Sequence, residues 1–152
     1  MKISALYTRY STVANGVQAP LLLVIRLYWG LQFVQAGWGK LSHLDRTAGF
    51  FANLHLPLPL ANAALAGGTE FFGGLALVIG LGARMAALPL IFTMFVAYAT
   101  AEHEALAAIF RDPDKFTAAT PFLFLYAALL VLAFGPGCWS LDHWLGQRKA
   151  TA

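Results

Sequence analysis

A chain of 152 residues that is 59% hydrophobic and only 11% charged is too apolar for a soluble domain. Its net charge of +3 comes from scattered Lys and Arg that form no nucleic-acid footprint. The single cysteine, Cys138, excludes an intramolecular disulfide and every Cys-x-x-Cys redox or zinc motif. Length then sets the architecture, because a span needs about 20 apolar residues and four spans with short connections use nearly the whole chain. The expected fold is all-α: one integral membrane domain over residues 1–152, built as a four-helix transmembrane bundle.

Residues 1–19 contain Lys2, Tyr7, Arg9 and Tyr10 but no apolar signal core, so the first span is expected to double as the insertion signal. That span is predicted over about 19–41, opening at Pro20, which suits a first helical turn. A polar connection with His43, Asp45, Arg46 and His55 follows, and Phe50, Phe51 and Leu54 are placed along the membrane interface. Pro57 and Pro59 separate it from a second span over about 60–81, which contains Glu70 and several glycines that let helices approach closely. The short turn from Gly80 to Arg84 makes the third span, 85–101, the second arm of an antiparallel hairpin.

The third span ends at Glu102, His103 and Glu104, and the following segment with Arg111, Asp112, Asp114 and Lys115 is too charged for hydrocarbon. A fourth span is predicted over 116–134, stopped by Gly135-Pro136-Gly137. Trp139 and Trp144 in the tail suit the headgroup region. Lys2, Arg9, Arg84, Arg148 and Lys149 fall on one side, against Lys40, Arg46, Arg111 and Lys115 on the other. This charge bias predicts that both termini are cytoplasmic.

Two ionisable residues lie deep in spans, Arg26 and Glu70, and leaving either unpaired at membrane depth costs at least about 2.5 kcal/mol. Counting from the span ends places them at similar depth, which predicts a direct or water-bridged pair. Such a pair is equally compatible with a structural lock between helices and with a functional interior site. Arg26, Gly30, Phe33, Gly37 and Lys40 share one face of the first helix by their spacing of four, three, four and three. This stripe is expected either to line a polar slot for an anionic or carbonyl-bearing ligand or simply to pack, with Lys40 reaching to the surface. Gln32 and Gln35 on adjacent faces are further donors, and Gly74 faces the slot from the second span.

His43, His55, Glu102, His103 and Glu104 are predicted on one side of the membrane, but their spacing matches no metal-ligand motif, and no metal site is assigned. His103 between two acids is better suited to proton exchange, as imidazole titrates near neutral pH. The candidate reactive groups are therefore Arg26, Glu70 and His103. Cys138 beside Trp139 reads as packing near the interface.

The order and spacing of several short pieces resemble the DoxX family of small four-helix bacterial membrane proteins, over nearly the whole chain. They are Arg26 with Gly30, Phe33, Gly37, Gly39 and Lys40; Glu70 with Gly73 and Gly74; Gly80, Gly82 and Arg84 with Ala86 and Ala87; and Phe134-Gly-Pro-Gly137 before Trp139-Ser-Leu-Asp142. The resemblance implies a multi-pass protein of the bacterial inner membrane. Some relatives look like membrane subunits of thiosulfate:quinone oxidoreductase, and others associate with oxidative-stress or thiol-redox systems. By analogy the chain is expected to serve a redox system, binding a quinone or similar ligand between the first two spans beside a partner oxidoreductase. No flavin, haem or iron–sulfur motif is present, so electrons would come from that partner. The alternatives are a small-solute carrier, which requires a homo-oligomer, and a non-catalytic assembly scaffold.

Overall fold

A computed structural model describes the backbone of residues 2–150 and the side chains of residue 10 and of residues 16–146. The regular structure of the described residues is all helical, with no strand among them. In chain order the helices are α1 (Lys2–Ser42), α2 (Leu44–Asn53), α3 (Pro59–Ile79), α4 (Ala83–Thr100), α5 (His103–Ala107), α6 (Pro113–Ala118), α7 (Pro121–Phe134) and α8 (Leu141–Ala150). Three segments among the described residues are long and apolar enough to cross a membrane: Gly16–Ser42, Pro59–Ile79 and Ala83–Thr100. Large apolar side chains such as Val24, Leu31, Phe72, Phe95 and Leu129 point outward from these helices and from α7. In water that surface would be an aggregation liability, whereas in lipid it is the expected exterior.

Two boundaries differ from the expectation. Helix α1 does not open at Pro20 but runs through it; a proline inside a membrane helix is tolerated where other groups satisfy the carbonyl it frees. Helix α7 begins only at Pro121, because Ala119 is extended (ψ 140°) and ends the short α6. At 1.5 Å per residue its 14 residues cover about 21 Å, less than the roughly 30 Å hydrocarbon thickness. Helix α7 is thus apolar but shorter than the three candidate spans.

Helix α1 packs on α3, α3 on α4, α4 on α7, and α7 returns to α1. The α1–α3 contact is glycine-mediated, with Gly30 against Gly74 and Gly37 against Gly67 and Phe71. A methyl group at Gly74 would stand 2.7 Å from the Gly30 carbonyl oxygen, so only glycine permits this approach. The return of α7 to α1 is aromatic: Phe124 meets Trp29 and Phe33 edge to face, with centroids 5.1 and 4.8 Å away, an arrangement favoured by the ring quadrupoles. The apolar core between α3, α4 and α7 includes Leu77, Leu90, Tyr98, Leu125 and Val131.

Helix α2 lies beside the bundle, turning Leu44, Thr47, Ala48 and Phe51 inward at helical spacing and Asp45, Arg46 and Asn53 outward. That pattern is amphipathic, of the kind suited to a membrane interface. The first charges of the chain and its last, Lys2, Arg9, Arg148 and Lys149, have side chains outside the described residues.

Candidate functional site

Both deep charges are buried, Arg26 at 1% and Glu70 at 3% exposure, but they do not meet. The ion pair of Glu70 is with Lys40. The expected Arg26–Glu70 pair fails for two geometric reasons. The glycine contacts set the α1–α3 register so that Glu70 is level with residues 34–37 of α1, more than two helical turns from Arg26. Side chains also lean toward the N-terminus of their own helix. In antiparallel helices Lys40 and Glu70 therefore lean toward each other, while Arg26 leans away.

Arg26 points to the opposite end of the bundle. Its Nη1 donates to the Pro136 carbonyl and its Nη2 to the Trp139 carbonyl at 3.3 Å, while Nε finds no partner among the described residues. Around it a knot of loop contacts closes. Gly80, at φ +73°, leaves no room for a side chain, since a Cβ there would lie 2.7 Å from Arg26 Nη1. Asp142 accepts from the Gly82 and Ala83 backbone N–H groups at 2.7 and 3.1 Å, capping the start of α4 from about 60 residues along the chain. Arg84 donates to the Ala133 carbonyl at 3.3 Å. The guanidinium of Arg26 is thus engaged by backbone carbonyls of this loop.

Space lies at the other end. A cavity of about 660 Å³ opens among α1, α2, α3, α4 and α7, in the size range of small-molecule sites. Its walls are largely apolar, with Phe33, Phe51, Met94 and Phe124 among them, and the Lys40–Glu70 pair sits in its wall with Thr69 and Thr93 nearby. An ion pair in a largely apolar wall is screened less than one in bulk water.

The residues expected to form the ligand slot separate accordingly. Phe33, Lys40 and Glu70 line the cavity. Gly30, Gly37 and Gly74 are consumed by the α1–α3 contact, Gln35 faces outward, and Arg26 belongs to the knot. Phe50, Phe51 and Leu54, expected along the interface, also line the cavity. Glu102 also lines it, whereas His103 is exposed outside the wall. Glu104 is exposed and paired with Lys115 at 2.9 Å. The hydrogen bond from Lys115, then its charge and that of His103, hold the Glu104 carboxyl below the usual range. Among the described residues no three His, Cys, Asp or Glu converge as metal ligands.

Sequence reasoning missed the contribution of α2 to the wall and the cap from Asp142. The amphipathic spacing of Leu44, Thr47, Ala48 and Phe51 was the available signal for the first. A cap donated across such a sequence separation leaves no local signal.

Residues 21–103 match the DoxX family model. The chain belongs to the DoxX family. The matched residues carry Arg26, Lys40 and Glu70 and end before the Phe134–Asp142 loop that Arg26 holds. A similar protein, described as an uncharacterized membrane protein of Mycobacterium tuberculosis, is 34% identical over 140 residues, covering 88% of this DoxX chain and 85% of the relative. No solved structure matches.

Proposed function

We propose that this DoxX-family membrane protein is a subunit of a redox system and holds a quinone or similar lipophilic carbonyl compound in the cavity beside Lys40 and Glu70. The observation that carries this reading is the pairing of a largely apolar chamber of about 660 Å³ with one ion pair, its carboxylate buried and its lysine partly exposed. A quinone head needs flat apolar walls and a few donors and proton carriers. Phe33, Phe51 and Phe124 supply the walls. Lys40 Nζ donates to a carbonyl oxygen, and Glu70, released from the lysine as that bond forms, carries a proton to or from the reduced ring.

Reduction of a quinone to its quinol takes two electrons and two protons. The electrons come from a partner oxidoreductase, and the protons exchange with water through Glu102 in the wall and His103 outside it. In the bacterial inner membrane with both termini cytoplasmic, this end of the bundle faces away from the cytoplasm. The family's association with quinone-linked membrane redox systems supports the same reading, and the fold alone would not.

The test is titration of the purified protein in lipid nanodiscs with a short-chain ubiquinone analogue, followed by tryptophan quenching. Saturable binding is expected, weakened at least ten-fold in Lys40→Met, a loss of about 1.4 kcal/mol. Absence of saturation, or unchanged affinity in Lys40→Met, removes the site.

A further inference from the structure

The cavity wall does not stop inside the bundle. On α3 the lining residues Leu65, Thr69, Asn62, Ala66 and Glu70 follow one another around the helix over an arc of about 140°, at 3.6 residues per turn. The first of them, Leu65, is 67% exposed on the outer surface, and the last, Glu70, is buried. Helix α4 repeats the pattern, from Phe92 at 69% exposure through Val96, Thr100 and Ala97 to the buried Met94. The α3 wall thus runs from exposed Leu65 to the buried Glu70 carboxylate, and the α4 wall from exposed Phe92 to buried Met94.

The reason lies in the residues along the α3–α4 contact. Near the hairpin turn the helices are locked, with the Leu90 side chain filling the place of a Cβ on Gly73 at 2.9 Å. Two turns further along each helix the same faces present Ala66 and Ala97, which both line the cavity. Small side chains on both sides, where the partner pair at Gly73 has a leucine, leave the gap unfilled.

We infer that the gap between α3 and α4 at Ala66 and Ala97 is a lateral portal through which the hydrocarbon tail of a membrane-dissolved ligand leaves the cavity while its polar head stays at Lys40 and Glu70. The inference rests on the proposed ligand reading and narrows it to an amphiphile with a long tail that arrives from the bilayer. A chamber of about 660 Å³ encloses a head group and a short chain, whereas a tail of many isoprene units needs a way out. The apolar rim of Leu65 and Phe92 offers that tail the same surroundings as the lipid it came from, so passage through the portal costs little.

The test compares two ubiquinones in nanodiscs, one with a single isoprene unit and one with ten, each dosed as mole fraction of lipid. In the unaltered protein both half-saturate at the same mole fraction within about two-fold. Ala97→Phe and, independently, Ala66→Phe narrow the gap and are expected to raise the long-to-short ratio at least ten-fold. Two variants on different helices separate a blocked portal from a folding defect, because the ratio is read only on monodisperse protein that binds the short form. A ratio near one in both variants overturns the portal, as does rejection of the long form by the unaltered protein; in either case short-form binding leaves the cavity reading standing. Binding of neither form overturns both.

Discussion

The two ends of this bundle each bury a charge, and they satisfy it in opposite ways. Arg26 is held by backbone carbonyls of one loop, next to a glycine that admits no side chain and beside an aspartate committed to a helix start. Glu70 is held by one flexible lysine at the edge of empty space. An intramembrane charge is a functional-site hypothesis by default, and the two charges here differ in partner and in the cavity beside them. A charge clamped by fixed carbonyls organises the fold, and a charge facing a mobile counter-ion and a cavity can change partner when a ligand arrives.

Removing the clamp should have the largest effect. Arg26→Ala leaves two loop carbonyls without their donor and opens a hole in the knot, and a loss of about 3–5 kcal/mol is expected, read by equilibrium unfolding in mixed detergent micelles. The folded fraction should keep its quinone affinity within about two-fold. A variant of normal stability that no longer binds would erase the distinction between the two ends. Arg26→Lys should recover little, since an ammonium on an unbranched stem cannot span two carbonyls as the guanidinium fork does.

The cap offers a finer cut at the same end. Asp142→Ala exposes the first N–H groups of α4 and should cost about 1–2 kcal/mol, with Asp142→Asn falling between because one acceptor oxygen remains. Equal stability of Asp142→Ala and the parent protein would mean that the loop is held by Arg26 alone.

The smallest effect is expected at the surface of the cavity end. Glu104 titrates below the ordinary carboxylate range because Lys115 hydrogen-bonds and attracts it. Its folded-state value is depressed, so its contribution is present above the unfolded value and fades as pH falls through the folded one. Lys115→Ala should return the Glu104 titration upward, followed by carboxyl carbon NMR, with little change in stability because the pair is exposed. An unchanged titration would assign the shift to His103 instead.

Much of the helical framework was legible because membrane spans announce themselves by length and apolarity. The α3–α4 hairpin follows from the glycines at 80 and 82. What could not be read locally was register. Depth counted from span ends put Arg26 opposite Glu70, but the axial offset is set by Gly30, Gly37, Gly67 and Gly74 acting together across two helices. Those glycines looked like the lining of a slot because they share a face with Lys40, and a face that approaches closely cannot also be open. The start of α7 was hidden because Phe116, Ala118 and Ala119 extend its apolar run toward the N-terminus, and the extended backbone at Ala119 separates α6 from α7.

The cap on α4 also orders events in time. Residues 82 and 83 leave the ribosome long before residue 142, so the α3–α4 hairpin enters the membrane with its turn unlatched. It is fastened only when α8, which carries Asp142, begins to form. Arg26, made earlier still, waits for the same loop. Without the segment that carries Asp142, the α3–α4 turn would therefore keep its two helices and lose this cap.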